Sequence, residues 1–121
     1  MKQSYEKKLL SDWEDIFRQG LLTFWIFVAL KDRELNVSSI KKAVERLTAK
    51  SYSAAEQSLY RVLRKHYDLE LVNMREVSSN VGPNLKLYSL SDLGEHLLKE
   101  FTVRNVSLFN QPKVQQLIKK G

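Results

Sequence analysis

The stretch Ser53–His66, SAAEQSLYRVLRKH, decides the predicted fold. Ser53 and Glu56 have the spacing of a capping box, in which each side chain satisfies a backbone N–H group at the start of a helix. At 100° per residue, one side of this helix collects residues that can be buried: Ala55, Leu59, Val62, Leu63 and His66. The pattern predicts an amphipathic helix over residues 53–66 with that side facing a core.

The opposite side of the same helix is basic. Gln57, Arg61 and Arg64 follow one another at spacings of four and three, with Ala54 and Lys65 beside them. An amide and two guanidinium groups are the groups that bind adenine and guanine edges in a major groove. The face therefore predicts contact with DNA, although many solvated surface helices carry a similar face.

Composition and charge limit the classes of function. The chain has 121 residues, which is enough for a single domain, and no cysteine, so a disulfide framework and thiolate metal sites are excluded. Twenty lysines and arginines against fourteen aspartates and glutamates give a net charge of +6, which favours a polyanion as partner. The polar N-terminus is unlike a secretory signal, and the apolar run Gly20–Leu30 is too short to cross a bilayer. We expect a cytoplasmic protein with no membrane partner.

Three helical segments are predicted before the basic helix. Spacings of three and four mark an amphipathic first helix, which Gly20 is expected to end; its stripe consists of Tyr5, Leu9, Trp13, Ile16 and Phe17. Leu21–Leu30 is apolar on nearly all sides and should lie at the centre of the fold. A further helix over Ser38–Ala49, capped by Asn36, Ser38 or Ser39, leads through a short connector to Ser53. This arrangement is typical of a helix-turn-helix.

A hairpin is predicted over residues 69–90. Leu69–Val77 and Leu85–Leu90 have the composition of strands, and the residues between them are dense in turn formers. Directly after a helix-turn-helix, such a hairpin indicates a wing whose Asn80, Asn84 and Lys86 would contact the phosphate backbone. An ordinary hairpin without that role is the alternative.

The C-terminal part is again helical. Ser91 is expected to cap a helix with a stripe of Leu93, Leu97, Leu98 and Phe101, and Pro112 starts a short last helix. The first and last helices carry apolar faces that a compact core does not need, which usually indicates a subunit interface. The predicted dimer interface consists of Tyr5, Leu9, Trp13, Phe17, Phe101, Val114, Leu117 and Ile118.

An ordered set of short motifs resembles the PadR family of winged-helix transcriptional regulators. The set comprises Gly20-Leu21-Leu22, Ser58-Leu59-Tyr60, Leu71-Val72 and the run from Lys86 to Gly94, KLYSLSDLG. The resemblance implies a homodimer that binds palindromic operator DNA and dimerises through its terminal helices. Arg61 and Glu70 depart from the family pattern, which often has proline and glycine there, and the wing is poorer in arginine than usual.

The predicted fold is therefore mainly α with a small β-hairpin wing, a winged helix-turn-helix with extra N- and C-terminal dimerisation helices. In this single domain, residues 1–19 form the N-terminal helix, 20–101 the DNA-binding core and 102–121 the C-terminal extension. The predicted DNA contacts are Ser53, Ala54, Gln57, Ser58, Tyr60, Arg61, Arg64, Lys65, Lys41, Lys42, Asn80, Asn84 and Lys86.

The predicted function is a dimeric, sequence-specific regulator of transcription, most simply a repressor. The alternatives are a structural DNA-binding protein, of the replication-terminator or nucleoid kind, and a winged helix used only for protein contacts. No catalytic motif, metal site or cofactor motif is present, and His66 is interpreted as a half-buried structural histidine. The only candidates for a pocket that binds a small aromatic effector are Trp13, Phe17, Trp25 and Phe27.

Overall fold

Residues 2–120, which the computed structural model describes, form helices around one β-hairpin. The elements in chain order are α1 (Lys2–Leu30), α2 (Val37–Leu47), α3 (Glu56–Asp68), β1 (Val72–Val77), β2 (Leu85–Leu90), α4 (Asp92–Asn105), a 3₁₀ segment (Val106–Asn110) and α5 (Pro112–Lys120). This is the predicted winged helix-turn-helix: α2 and α3 form the helix-turn-helix, and β1 and β2 form the wing.

The core lies where the end of α1 meets α2, α3 and the hairpin. Its best-buried side chains come from four elements: Ile26, Leu30, Ile40, Val44, Leu59, Leu63 and Val72. Leu59 and Leu63 are fully buried, as the periodicity of the basic helix predicts, and they fix α3 to the rest of the fold. Leu47 is 43% exposed because α2 ends at that residue.

The predicted helix break at Gly20 is wrong, because α1 runs without interruption from Lys2 to Leu30. Glycine inside a helix costs only about 1 kcal/mol relative to alanine, and good helix formers flank this one. The first half of α1 extends beyond the core, and only its end is buried. The predicted boundaries of the DNA-binding core, at residues 19/20 and 101/102, both fall inside helices, the first in α1 and the second in α4.

Hydrogen bonds close both ends of α2. Asn36 caps α2, its side chain accepting a hydrogen bond from the backbone N–H of Ser39 at 2.8 Å, which confirms one of the three predicted caps. At the other end, the N–H of Lys50 donates to the carbonyl of Glu45 at 2.7 Å. Ala49 and Lys50 have φ angles of 52° and 64°, the left-handed conformation that commonly ends a helix. The turn thus leaves α2 with its last carbonyls satisfied.

The predicted capping box at Ser53 is wrong. Helix α3 begins at Glu56, its N-cap is Ala55, and no side chain caps it. Ala54 is buried in the core, which holds residues 53–55 extended, and the Ser53 hydroxyl instead donates to the Glu45 carboxylate at 3.2 Å. For the same reason Ala55, predicted on the core side of the helix, is exposed.

The end of α3 explains why β1 begins at Val72 rather than at the predicted Leu69. The N–H of Leu71 donates to the carbonyl of His66 at 2.8 Å, and Glu70 adopts a φ of 64°. This is a helix ending in which glycine is the usual residue. Residues 69–71 are therefore used to close the helix and cannot join the strand.

The wing is an antiparallel hairpin in which Val72 pairs with Leu90 and Val77 with Leu85. Leu35, in the connection from α1 to α2, adds an isolated bridge to Tyr88 through backbone hydrogen bonds of 3.0 and 2.8 Å. The base of the wing is therefore fastened to the connection between α1 and α2.

Helix α4 begins at a close backbone contact. The Ser91 side chain accepts a hydrogen bond from the N–H of Gly94 at 3.0 Å, which confirms the predicted cap. A Cβ atom at Gly94 would lie 2.1 Å from the carbonyl oxygen of Leu71, so only glycine fits there. Of the predicted α4 stripe, Leu98 packs against the core, whereas Leu93, Leu97 and Phe101 are 39–48% exposed.

His66 joins α3 to α1, which agrees with its interpretation as a half-buried structural histidine. Its Nε2 lies 3.1 Å from Thr23 Oγ1, and its ring meets Phe27 edge to face at 5.2 Å. Its Nδ1 is buried without a partner among residues 2–120. Burial, followed by the charge of Lys65, holds the pKa of His66 below its ordinary value of 6.5.

We expect the protein to lose stability as the pH falls below about 6.5. The depressed pKa means that the unfolded chain binds a proton more readily than the folded one, so the contribution of His66 is complete above 6.5 and is lost below it. Urea unfolding of the wild type and His66→Leu between pH 7.5 and 5 checks this, with the exposed His96→Gln as control. An identical pH dependence in His66→Leu would contradict the assignment.

Candidate nucleic-acid interface

The outward side of α3 presents the three residues predicted to bind bases. Gln57, Arg61 and Arg64 are all exposed, whereas Leu59 and Leu63 on the other side are fully buried. Because those two leucines anchor the helix, the polar face is held in a fixed orientation. Lys65 and Tyr60 are exposed at the margins of this face, as the helical periodicity predicts.

The two arginines of α3 differ in their local partners. Arg64 Nε lies 3.6 Å from Asp68 Oδ2, an exposed pair one turn apart. Arg61 has no carboxylate within 4 Å among residues 2–120, and its Nη2 reaches only the Ser58 hydroxyl at 3.5 Å. Exposed ion pairs of this kind contribute little to stability and are easily broken. Even so, Arg61 is more available than Arg64 to bind a phosphate or a base.

Ala54 is not a possible DNA contact, which corrects the sequence prediction. It is only 6% exposed and belongs to the core, because the chain is extended before α3 rather than helical. Ser53 is exposed but bonded to Glu45, and Ser58 is half-buried. Fewer residues at the start of α3 are therefore available to contact DNA than the sequence predicts.

The other predicted DNA contacts lie on α2, which packs against α3, and on the wing, which faces the starts of α2 and α3 across a cleft. Lys42 is exposed and Lys41 half-buried, and Asn80, Asn84 and Lys86 are exposed. A cleft of about 580 Å³ separates the wing from the helix-turn-helix. It is lined by residues from both, among them Asn36, Ser38, Glu56, Tyr60, Asn84 and Lys86. The fold thus brings the wing tip next to the starts of α2 and α3.

One arginine of the wing is bound within the protein. Arg75 on β1 donates to both carboxylate oxygens of Glu34, at 2.7 and 2.8 Å. The hydrogen bonds raise the pKa of Arg75 and lower that of Glu34. Because the two residues are far apart in sequence, no local pattern could predict this pair. Arg75 holds the wing to the α1–α2 connection and is a poor candidate for phosphate contact.

The residues of the predicted dimer interface are mostly free of contacts within the chain. Trp13 is 73% exposed and Leu117 74%, and Tyr5, Leu9, Phe17 and Ile118 are each more than half exposed. Val114 is half-buried, and the ring of Phe101 lies 5.7 Å from that of Phe24 on α1. Both ends of the chain therefore expose apolar surface.

The four aromatics of the predicted effector pocket do not line one cavity in a single chain. Trp13 and Phe17 border one depression, and Phe17 and Trp25 another near the helix-turn-helix turn. Phe27 is buried in the core and faces a different cavity between α1 and α4.

No helix within residues 2–120 has the length and hydropathy needed to span a membrane.

The family model described as transcriptional regulator PadR-like family matches residues 26–100. This chain belongs to that family. The matched range covers the end of α1, the helix-turn-helix, the wing and most of α4, so it contains all the predicted DNA contacts but not the predicted dimer interface. The prediction from the short motifs is confirmed, and so is the prediction that the protein is a regulator rather than an enzyme. No curated protein sequence matches the chain.

Solved PadR structures share the fold. A PadR family regulator from Eggerthella lenta superposes with a TM-score of 0.75 at 18% identity, over 98% of this chain and 99% of that one. A PadR-like regulator from Bacillus cereus gives 0.64 at 21% identity, over 84% and 94%. Bacillus subtilis PadR, solved in complex with operator DNA, gives 0.64 at 24% identity over 70% of this chain. This match spans about half, 48%, of the Bacillus subtilis protein.

Proposed function

We propose that this PadR-like regulator is a dimeric repressor that binds palindromic double-stranded operator DNA. Helix α3 reads the major groove, and the wing contacts the phosphate backbone. The observation that carries the proposal is the exposed face of Gln57, Arg61 and Arg64 on a helix anchored by two fully buried leucines. The complex of Bacillus subtilis PadR with operator DNA supports it by analogy of fold.

The rigid attachment of α3 favours sequence-specific reading. Glutamine can bind adenine, and arginine can bind guanine, through two hydrogen bonds each, provided that the side chain approaches in a defined orientation. The core residues on the inner side of α3 supply that orientation. We expect Arg61 to contribute most, because Arg64 also has Asp68 within 3.6 Å.

The flanking groups position the protein on the duplex. Lys42 on α2 and Lys86 on the wing are exposed cations, and Asn80 and Asn84 are exposed at the wing tip. Contacts from such groups to phosphates set register without reading sequence. Since Arg75 is held by Glu34, we expect the wing to contribute less to affinity than α3.

The exposed apolar surface of both terminal helices supports a homodimer. In a dimer with a two-fold axis, a second copy of the chain would cover the exposed apolar surface of α1 and α5. The same axis would place the two α3 helices on the same side of the assembly. A small aromatic effector at that interface stays a prediction from the sequence, with Trp13 and Phe17 its accessible members. The family match favours a regulator over a purely structural DNA-binding protein.

Alanine substitutions on α3 test the proposal. An operator is first selected from a randomised duplex library with the intact chain. Arg61→Ala is expected to weaken operator binding by ~1–3 kcal/mol and to relax one base position if it contacts guanine, and Gln57→Ala and Arg64→Ala to act in the same direction. Titration at several salt concentrations separates base contacts from phosphate contacts, because losing one phosphate contact reduces the salt slope by about one unit.

Arg104→Ala on α4 is the matched control, since it removes an exposed arginine outside α3 and the wing. We expect this variant to keep wild-type sequence preference. If all three α3 variants bind the selected operator as tightly as the wild type, α3 is not the reading helix.

A further inference from the structure

Glu56 is the first residue of α3, and its carboxylate is free of local partners. The sequence predicts that its carboxylate accepts from the N–H of Ser53, but the Ser53 hydroxyl is bonded to Glu45, and the N-cap is Ala55, two residues later than that prediction requires. No hydrogen bond or ion pair engages the Glu56 carboxylate among residues 2–120. The residue is exposed and lines the cleft between α3 and the wing, together with Tyr60 and Lys86.

The position of Glu56 is the one that approaches bases most closely in a helix-turn-helix. The residues at the N-terminus of a reading helix contact base edges, whereas those near its C-terminus lie further from the groove. A carboxylate there meets a strongly negative environment of phosphates. It is compatible with tight binding when it accepts a hydrogen bond from a base, and in the major groove the N4 amino group of cytosine is the donor that carboxylates accept from.

We propose that Glu56 is a specificity-determining residue that accepts a hydrogen bond from the N4 amino group of a cytosine in each operator half-site. The inference rests on the proposed function of α3 and adds a base that Gln57 and Arg61 do not read. It also explains how an acid is accommodated at the leading end of an otherwise basic face.

A purely local role for Glu56 makes a different prediction. A negative side chain in the first turn stabilises a helix through the helix dipole, and α3 has no side-chain cap to do so. That role would affect folding and all DNA sequences alike. A repulsive role toward phosphates would also act on all sequences alike, with the opposite sign. Only a contact with a base changes the preference at a single position, and loss of a preference for cytosine there identifies the N4 contact.

The experiment compares operator selection by the intact wild type, Glu56→Gln and Glu56→Ala from one randomised duplex library. We expect the wild type to select cytosine at one position of each half-site. Glu56→Ala should lose about tenfold of the discrimination between C·G and T·A there, with unchanged preferences elsewhere, whereas Glu56→Gln should lose less, because its amide oxygen can still accept from the N4 amino group. Glu56→Gln keeps the size of the side chain, and thermal unfolding of each variant verifies that α3 remains folded.

Glu76→Gln on β1 is the matched control, because it removes the same charge from an exposed residue of the wing. It should change affinity for all sequences equally. If the wild type selects an operator but Glu56→Ala retains every base preference, or binds all sequences uniformly tighter or weaker, the inference about Glu56 is overturned while the proposed function stands. A wild type without any sequence preference would instead overturn the proposed function itself.

Discussion

Replacing Gly94 by alanine is expected to lower the free energy of unfolding by about 3 kcal/mol. The new Cβ atom would lie 2.1 Å from the Leu71 carbonyl oxygen and 3.1 Å from its carbonyl carbon, and both are backbone atoms that cannot rotate away. The same carbonyl accepts hydrogen bonds from the Ser91 hydroxyl at 3.0 Å and from the Ser91 N–H at 3.1 Å. Moving α4 to relieve the clash would therefore break the bonds that begin it.

Gly20→Ala is the matched control for that prediction. Gly20 lies inside α1, and a Cβ atom added there would have open space around it, with no neighbouring atom within 4 Å. Alanine should therefore stabilise the helix by about 0.5–1 kcal/mol. Urea unfolding followed by circular dichroism measures both variants. A Gly94→Ala protein as stable as the wild type would show that α4 does not approach Leu71 as closely as described.

The double substitution Trp13→Ala, Phe17→Ala is expected to separate the proposed dimer. Trp13 and Phe17 are 73% and 52% exposed in the single chain, so their truncation removes little from its own core. At a two-fold interface four such side chains are lost, and each contributes at least about 1.5 kcal/mol when buried. The sum of roughly 6 kcal/mol corresponds to an increase in the dimer Kd of about four orders of magnitude.

Sedimentation equilibrium over a range of concentrations measures that change. Lys7→Ala, which truncates an exposed polar residue of the same helix, serves as the control and should leave the Kd within a few-fold of the wild type. A wild-type protein that is monomeric at micromolar concentration would contradict the dimer. A double variant that dimerises as tightly as the wild type would place the interface elsewhere.

Periodicity predicted the parts of the fold that depend on local burial patterns. Leu59 and Leu63 are fully buried and Gln57, Arg61 and Arg64 exposed because one helix face determines both sets. Motif order then identified the family, since a reading helix, a wing strand and a glycine at the start of α4 occur in a fixed succession. Gly94 belongs to the motifs that resemble the family, but only the structure shows why glycine is needed there, which is the close approach of the Leu71 carbonyl.

Two errors arose where a local signal was weaker than the effect that competed with it. Ser53 and Glu56 have the spacing of a capping box, yet burial of Ala54 keeps this segment extended. Gly20 is a common breaker, yet α1 continues because the residues around it favour helix. In both places the local pattern was real, but its free energy was smaller than that of the competing effect, which was the burial of Ala54 in one case and the helix propensity of the residues around Gly20 in the other.

Two stabilising contacts had no sequence signal at all. Arg75 and Glu34 form their ion pair across the space between the wing and the α1–α2 connection, and His66 meets Thr23 across the junction of α3 and α1. Each pair is separated by more than 40 residues. Such pairs become visible only once the elements are packed, because no periodicity within one element relates the two partners.

Hydroxyl-radical footprinting of the intact protein on its selected operator tests the proposed dimeric reading of DNA most directly. Two α3 helices related by a two-fold axis should enter successive major grooves, so we expect two symmetric protected half-sites with centres about 34–36 Å apart, one helical turn. A single asymmetric half-site protected by a monomer would contradict the proposal.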